Sequence, residues 1–127
     1  MDRNIDLFVQ AFWVKCREVI RPEIDSAISD LRGAGHDGRV STQEYAAAAD
    51  GLPMHVGPSL TLALRPAGMR EGDSHPSLEF RGDVAGQAVD ILTSDGRKTS
   101  YDIAVLGPGE VRAELEEWLA RLAISAF

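Results

Sequence analysis

The sequence predicts an α+β protein in which a long helix precedes a short antiparallel sheet and a second helix follows it. Near both ends of the chain, apolar residues recur at three- and four-residue steps, as in amphipathic helices. Between these segments, apolar and polar residues alternate with a period of two, which is typical of half-buried strands. The predicted order is α-β-β-β-β-α, with three to four strands and the C-terminal helix packed on the sheet.

The first helix is predicted over Ile5 to Leu31. Its apolar residues share one face: Ile5, Phe8, Val9, Phe12, Cys16, Val19, Ile20, Ile24, Ala27, Ile28 and Leu31. Gly33 and Gly35 end it. Pro22 lies inside the pattern and lacks the N–H that would bond to the carbonyl of Glu18. Because the apolar face continues through Pro22 in register, a kinked continuous helix is favoured over two separate helices.

Residues 39–50 are compatible with two structures. Ser41 and Glu44 form a capping box that would open a short helix closed by Gly51. Alternatively, Arg39 to Tyr45 forms an edge strand followed by a loop. The alanines that follow would propagate a helix but give it little to bury, so the strand is preferred, and the sequence leaves the choice open.

The later strands follow from segments of period two. Their apolar positions are, in chain order, Leu60, Leu62 and Leu64; Leu78 and Phe80; Val89 and Ile91; and Tyr101, Ile103 and Val105. Pro66-Ala67-Gly68 ends the first of them, Gly82-Asp83 predicts a bulge or turn, and Asp95-Gly96 is a two-residue hairpin signal. The C-terminal helix begins near Pro108, where a proline is tolerated. Its apolar face is formed by Val111, Leu115, Trp118, Leu119 and Leu122.

Length and composition predict one acidic globular domain over residues 1–127. Apolar residues make up 44% and charged residues 26% of the chain, which is ordinary globular usage. The formal net charge of −7 opposes attraction to nucleic acid or to an anionic membrane, so neither partner is expected. The single cysteine excludes an internal disulfide. Without a signal-peptide pattern or an apolar run of ~20 residues, a cytoplasmic location is expected.

One string resembles part of a metal site. Asp37 to Tyr45 resembles the second half of an EF-hand calcium loop, with an acid, the glycine and a glutamate at the final ligand position. Aligned on Gly38, however, the loop would begin at Gly33 and have Gly35 at its third position, and neither carries an oxygen side chain. Calcium binding therefore ranks third among the hypotheses, and no cofactor or metal is predicted.

Other chemistry-bearing residues favour structural roles. The three histidines lie at no metal-ligand spacing from one another: His36, His55 and His75. Cys16 lies on the apolar face of the first helix, where a thiol is buried rather than nucleophilic. Asp90 and Asp102 are predicted to face each other across the last hairpin and to be solvated. No catalytic residue is predicted.

The N-terminal helix is the candidate interaction surface. At about 1.5 Å per residue it would be roughly 40 Å long, more than the width of a small domain. Phe8, Phe12 and Trp13 near its start would then overhang the sheet, and overhanging aromatic surface typically forms an interface. A symmetric dimer is the simplest closed assembly. The alternative is that the kink at Pro22 folds the helix around its own core.

The sequence therefore ranks functions without deciding among them. The leading hypothesis is a small acidic cytoplasmic protein with an interaction, adaptor or chaperone-like role, non-catalytic and homodimeric, with a protein partner. The second is a small-molecule-binding protein or small enzyme with a pocket between the sheet and the helices. Tyr101, His75, Arg81 and Asp83 are the polar residues considered for its lining. Whether the protein is an enzyme stays open, and a non-catalytic role is favoured.

Overall fold

The N-terminal helix is continuous through Pro22 in the computed structural model, which describes residues 3–46, 57–70, 72 and 74–122. It consists of α1 (Arg3–Lys15), a π-helical turn (Cys16–Ile20) and α2 (Arg21–Gly33). In the π-helical turn, the Arg21 N–H donates to the Cys16 carbonyl, five residues earlier. The wider turn is completed immediately before the proline, so the helix accommodates Pro22 without a break.

Five strands form one antiparallel sheet in the order β1-β2-β3-β4-β5. They are β1 (Asp37–Gln43), β2 (Ser59–Arg65), β3 (Ser77–Asp83), β4 (Ala88–Thr93) and β5 (Lys98–Asp102). The sheet has one strand more than the four in the predicted order, because the strand alternative for residues 39–45 is the one observed. Residues 47–56, which include the rest of that ambiguous segment and His55, lie outside the described residues.

Two predicted boundaries are corrected. β3 continues through Gly82 to Asp83, and the turn follows over residues 84–87. β5 ends at Asp102, although the alternation of apolar residues continues to Val105. There the Asp102 carboxylate accepts a hydrogen bond from the Ala104 N–H at 2.8 Å, and its carbonyl accepts from the Val105 N–H at 3.0 Å. This local turn outcompetes the strand, because aspartate can satisfy the following backbone donors.

All helices pack on one face of the sheet, and α3 (Pro108–Arg121) completes that layer. The buried core joins the apolar faces of helices and strands: Phe8, Phe12, Cys16, Ile20, Ile24, Ala27, Ile28, Leu31, Leu60, Leu62, Leu64, Leu78, Phe80, Val89, Ile91, Leu106, Val111, Leu115, Trp118 and Leu119. The other face of the sheet carries polar residues such as Glu79 and Arg81. Within the described residues, no helix combines the length and apolarity needed to cross a bilayer.

Candidate functional site

The outer edge of β1 is the feature most suited to binding. In β2, the Leu64 N–H donates to the Pro76 carbonyl, and the Gly82 N–H of β3 donates to the Pro58 carbonyl, both at 2.8 Å. Even-numbered residues of β2 therefore bond to β3, and its odd-numbered residues bond to β1. With that register, the odd-numbered residues of β1 bond inward, and its even-numbered residues direct their N–H and C=O groups away from the sheet.

In three residues of β1 the backbone N–H and C=O groups thus point away from β2: Gly38, Val40 and Thr42. The first is already occupied, because the Gly38 N–H donates to Asp37 Oδ1 at 2.9 Å. Within the described part of the chain, the N–H groups of Val40 and Thr42 have no hydrogen-bond partner. The edge therefore keeps two donors, with their neighbouring carbonyls, for an added strand.

The Asp37 carboxylate closes one end of this edge. Arg32 Nε donates to the same Oδ1 at 2.9 Å. The Arg32 guanidinium and the Gly38 N–H hold the pKa of the Asp37 carboxyl below its usual value, so this carboxyl stays ionised at neutral pH. Asp37 was the first acid of the EF-hand-like string, and here it begins a strand. Asp37 to Gln43 is extended and paired with β2, so this segment does not form the calcium-binding loop that the hypothesis requires.

An open groove of about 520 Å³ runs beside this edge, between α2 and β1. The residues that line it come from both elements: Arg21, Asp25, Ile28, Ser29 and Arg32 from α2, and Gly38, Arg39 and Val40 from β1. The helix and the strand approach closely at Gly38. A Cβ there would lie 3.1 Å from Leu62 Cδ1 and 3.2 Å from Ile28 Cγ1. Because Gly38 has no side chain, α2 and β1 can lie this close together.

The charged groups at the groove are largely paired. Three arginines and one aspartate line it. Arg21 pairs with Asp25 at 2.8 Å, and Arg32 pairs with Asp37. Arg39 makes no ion pair with any residue that the structure describes. It alternates with Gly38 and Val40 along β1, so its side chain points to the face of the sheet away from the helices, where it helps to lower the pKa of the Asp37 carboxyl.

The opposite edge of the sheet is short and tied to α3. β5 has five residues, and the Tyr101 hydroxyl donates to Glu114 Oε1 at 2.8 Å. Asp95, in the turn before β5, accepts from Arg121 Nε at 2.9 Å. These contacts hold α3 beside β5, so the two edges of the sheet differ in length and in their surroundings.

The polar residues considered for an interlayer pocket do not converge. Tyr101 lies on the helix-covered face of the sheet, while Arg81 lies on the other face. Arg81 forms a bidentate pair with Glu79, which raises the pKa of its guanidinium. Asp83 accepts from the Gly86 N–H at 3.2 Å, and His75 is exposed before β3. Arg81 and Asp83 share a shallow pocket of about 220 Å³ on the exposed face.

Structural roles account for three further residues that the sequence analysis considered, namely His36, Cys16 and Asp90. His36 Nδ1 accepts a hydrogen bond of 2.8 Å from the Ala67 N–H, which ties the start of β1 to the loop after β2. Burial raises the pKa of the Cys16 thiol to about 12, so it is protonated at neutral pH. Asp90 lies opposite Ser100 rather than Asp102, and accepts the Ser100 hydroxyl at 2.6 Å. The repulsion predicted for two facing carboxylates is therefore avoided.

The aromatic residues of α1 lie mostly inside the protomer. Phe8 and Phe12 are 2% and 0% exposed, and their rings lie within reach of a Cβ placed on Gly82. Trp13 is half-buried, and its ring meets that of Phe12 edge to face at 5.1 Å. The overhang expected at Phe8 and Phe12 is thus covered by the chain's own sheet. Apolar exposure on this helix is instead found at Leu7 (53%) and Val14 (40%).

No protein-family model matches the chain, and neither a curated protein nor a solved structure matches it significantly. Among the described residues, the strongest local departure from an ordinary closed surface is the β1 edge with the α2–β1 groove beside it. It combines two unpaired backbone donors with the close approach of α2 and β1 at Gly38. Sequence reasoning placed the strand here as one alternative and missed the site.

Proposed function

We propose that this protein is a non-catalytic interaction module, of the adaptor or chaperone-like kind, that binds an extended segment of a partner protein along the outer edge of β1. The two unpaired N–H groups of Val40 and Thr42 beside the α2–β1 groove carry this proposal. Peptides commonly bind in this way, by adding a strand to an exposed sheet edge. The proposal keeps the cytoplasmic location expected from the sequence.

Within the described residues, no proline, bulge or covering element protects the edge of β1, which supports this role. Native sheets usually block exposed edges with a proline, a bulge or a covering element. β1 contains no proline, and its seven residues pair one to one with seven residues of β2. An unblocked edge risks aggregation, so it is retained where it has a use.

The packing between the layers favours this function over the small-molecule alternative. The side chains facing each other between sheet and helices are fully buried, as for Leu62, Phe80 and Trp118, each 0% exposed. The polar side chains that a buried ligand would need are distributed over both faces of the sheet. The grooves found among the described residues open to solvent, and the α2–β1 groove opens at the edge of this layer.

The variant Val40→Pro tests the edge directly. Because the Val40 N–H points away from β2, proline removes the outward donor and no bond of the β1–β2 ladder. Val40→Ala is the matched control, since it removes similar apolar surface and keeps the N–H. Both variants are checked for cooperative thermal unfolding before use.

The measurement is a selection from a phage-displayed library of random twelve-residue peptides on the immobilised protein. We expect enriched peptides whose synthetic forms bind at least tenfold more weakly to Val40→Pro than to Val40→Ala. Peptides that bind both variants equally, or a selection with no enrichment, would exclude the β1 edge as the binding site.

Self-association through the N-terminal helix is the second candidate function. Leu7 and Val14 lie seven residues apart on α1, on the same helical face as Ala11, and are exposed. Trp13 lies next to this face. This surface replaces Phe8 and Phe12 as the candidate dimer contact, because those two side chains are already buried within the chain.

Sedimentation velocity over about 1–100 μM tests this second candidate. A dimer formed through α1 should dissociate in the double variant Leu7→Lys/Val14→Lys and persist in Val105→Lys, which alters another exposed apolar residue. A constant monomeric mass across this range in the unaltered protein would rule out self-association.

A further inference from the structure

The side chain of His36 joins two backbone segments that are distant in the sequence. Its Nδ1 atom accepts a hydrogen bond of 2.8 Å from the N–H of Ala67, 31 residues later. A ring nitrogen that accepts a hydrogen bond carries no proton, so the imidazole in this contact is neutral and has its proton on Nε2. The contact therefore exists in only one protonation state of the ring.

The backbone of His36 is held by bonds that do not involve its ring. Its N–H donates to the Leu31 carbonyl at 2.8 Å, and the Gly35 N–H donates to the Arg32 carbonyl at 3.1 Å. With Gly35 at a φ of 91°, these two bonds form the Schellman motif that ends α2. Protonation of the imidazole breaks neither bond, so the end of α2 is a fixed anchor for the side chain.

The other side of the contact is a turn over residues 66–69. It is closed by a hydrogen bond of 3.2 Å from the Met69 N–H to the Pro66 carbonyl, and Gly68 has the positive φ, 82°, that a type II turn requires at its third residue. Ala67 and Gly68 are exposed, and a Cβ on Gly68 would meet nothing within 4 Å. Because packing does little to hold the turn at this point, the hydrogen bond to His36 matters for its position.

Protonation of the His36 ring removes this hydrogen bond. Histidine side chains commonly take up a proton between about pH 5 and 8. Both nitrogens of the imidazolium carry protons and donate, so Nδ1 can no longer accept from the Ala67 N–H. Two donors would then point at each other, and the ring and the turn must separate.

The described elements around His36 contribute charges of both signs. Their charged and titratable groups are Arg32 of α2, Asp37 of β1, Arg65 of β2, and Arg70 and His75 of the loop that follows β2. Arg32 and Asp37 pair with each other at 2.9 Å, and the pKa of the Asp37 carboxyl lies below its usual value. The arginines and Asp37 therefore keep their charges between about pH 5 and 8, where only the histidines of this set change theirs.

We propose that His36 is a pH-dependent latch: its neutral ring holds the turn over residues 66–69 at the start of β1, and protonation of the ring releases the turn. The latch does not require the edge-binding function proposed above. It lies next to that site, because Asp37, which closes one end of the β1 edge, directly follows His36.

Nuclear magnetic resonance of the ¹⁵N-labelled protein from about pH 4.5 to about pH 8 tests the latch. A scalar coupling across the hydrogen bond, between the Ala67 amide nitrogen and His36 Nδ1, detects the closed state. The ring nitrogen shifts report the tautomer and its protonation. The heteronuclear NOE and the exchange protection of the Ala67 amide report how firmly the turn is held.

Two variants separate His36 from other titrating groups. His36→Asn carries an amide oxygen near the position of Nδ1, which accepts a hydrogen bond and takes up no proton in this range. His75→Gln is the matched control, since it removes an exposed histidine from the loop that contains the turn. Both variants are first checked for cooperative thermal unfolding.

We expect the coupling and the Nε2–H tautomer near pH 8, and loss of the coupling as the ring is protonated. The exchange protection of Ala67 should fall by about fivefold or more with the same midpoint as the ring, and its NOE should fall with it. In His36→Asn both should stay constant with pH, and His75→Gln should behave like the unaltered protein.

Three results would overturn the latch. The first is an Nδ1–H tautomer or a missing coupling near pH 8, which would exclude the hydrogen bond. The second is a turn whose protection and NOE stay constant while the ring is protonated. The third is a pH dependence that persists in His36→Asn or is lost in His75→Gln, which would assign it to another group. If His36→Asn does not fold, the titration of the unaltered protein still decides through the first two results.

Discussion

The hydroxyl group of Tyr101 on β5 donates a 2.8 Å hydrogen bond to Glu114 Oε1 on α3. This bond joins the last strand to the helix that follows it. The nearby carboxylate stabilises the protonated phenol and raises the pKa of Tyr101 to about 12. The contribution to stability is therefore complete below pH 10 and is lost as the pH rises through about 12.

Glu114→Gln should return the pKa of Tyr101 toward 10, because glutamine keeps a hydrogen-bond acceptor but removes the negative charge. Phenolate absorbance near 295 nm measures this titration, and Tyr45→Phe simplifies it, since the chain has two tyrosines. A Tyr101 titration that is the same with and without the Glu114 carboxylate would contradict the assigned cause.

Asp95 should titrate at unusually low pH. The Arg121 guanidinium and the Thr93 hydroxyl both donate to its carboxylate and lower its pKa from 3.8 to about 2. Its stabilising effect is present above pH 4 and is lost as the pH falls through about 2. In Arg121→Gln the pKa should move back toward 3.8, as measured by ¹³C-detected carboxyl titration. The control is Arg17→Gln, which removes the exposed ion pair between Arg17 and Glu18 and should leave the pKa of Asp95 unchanged.

Gly82→Ala should destabilise the fold by about 1–3 kcal/mol, as overpacking does in well-packed cores. A Cβ on Gly82 would lie 2.9 Å from Pro58 Cγ and 3.1 Å from Phe8 Cε1, so β3 and α1 would have to separate. Gly109→Ala is the control, because nothing lies within 4 Å of its Cβ position. Urea unfolding should find the control within about 1 kcal/mol of wild type, and equal stabilities for both variants would contradict the close approach.

The Cys16 thiol should react only when the protein unfolds. It is 4% exposed, and burial raises its pKa to about 12, so very little thiolate forms at pH 8. Ellman's reagent should therefore react at the rate of unfolding and not in proportion to reagent concentration. Ser26→Cys, on the exposed surface of α2, provides a rapidly reacting control thiol. Rapid reaction of the native Cys16 would show that the helix opens locally.

Hydrophobic periodicity was sufficient to predict most of the fold. The three-and-four spacing located the N-terminal helix, and the alternation around Leu62 and Phe80 located the central strands, because burial of one face imposes these periods directly. β1 gave a weaker signal. Its three core-side residues are Gly38, Val40 and Thr42, of which only Val40 is a large apolar residue. A strand at the edge needs less apolar surface, so its pattern resembled that of a capped helix.

The candidate site could not be predicted in the same way. Whether Val40 directs its N–H toward β2 or away from it depends on the parity of the ladder, which is fixed by long-range pairing. The local sequence does not indicate which residues of β1 bond to β2 and which point away from it. The surface expected at Phe8 and Phe12 rested on helix length alone, and the contact with Gly82 shows why it is covered: a glycine in β3 lets α1 lie directly on the sheet.

The π-helical turn at Cys16–Ile20 has a consequence for how this chain can vary. Core residues recur at every fourth position from Phe8 to Ile28, and on a regular α-helix each such step would rotate the buried face by about 40°. A π-helical turn behaves as a one-residue insertion, which sets the face back by about 100°. The buried faces of α1 and α2 therefore stay close to one line. By the same count, loss of one residue between Cys16 and Ile20 would restore a regular α-helix and keep Phe8 and Phe12 aligned with the core residues of α2, whereas gain of one residue would rotate them by about 100° toward solvent.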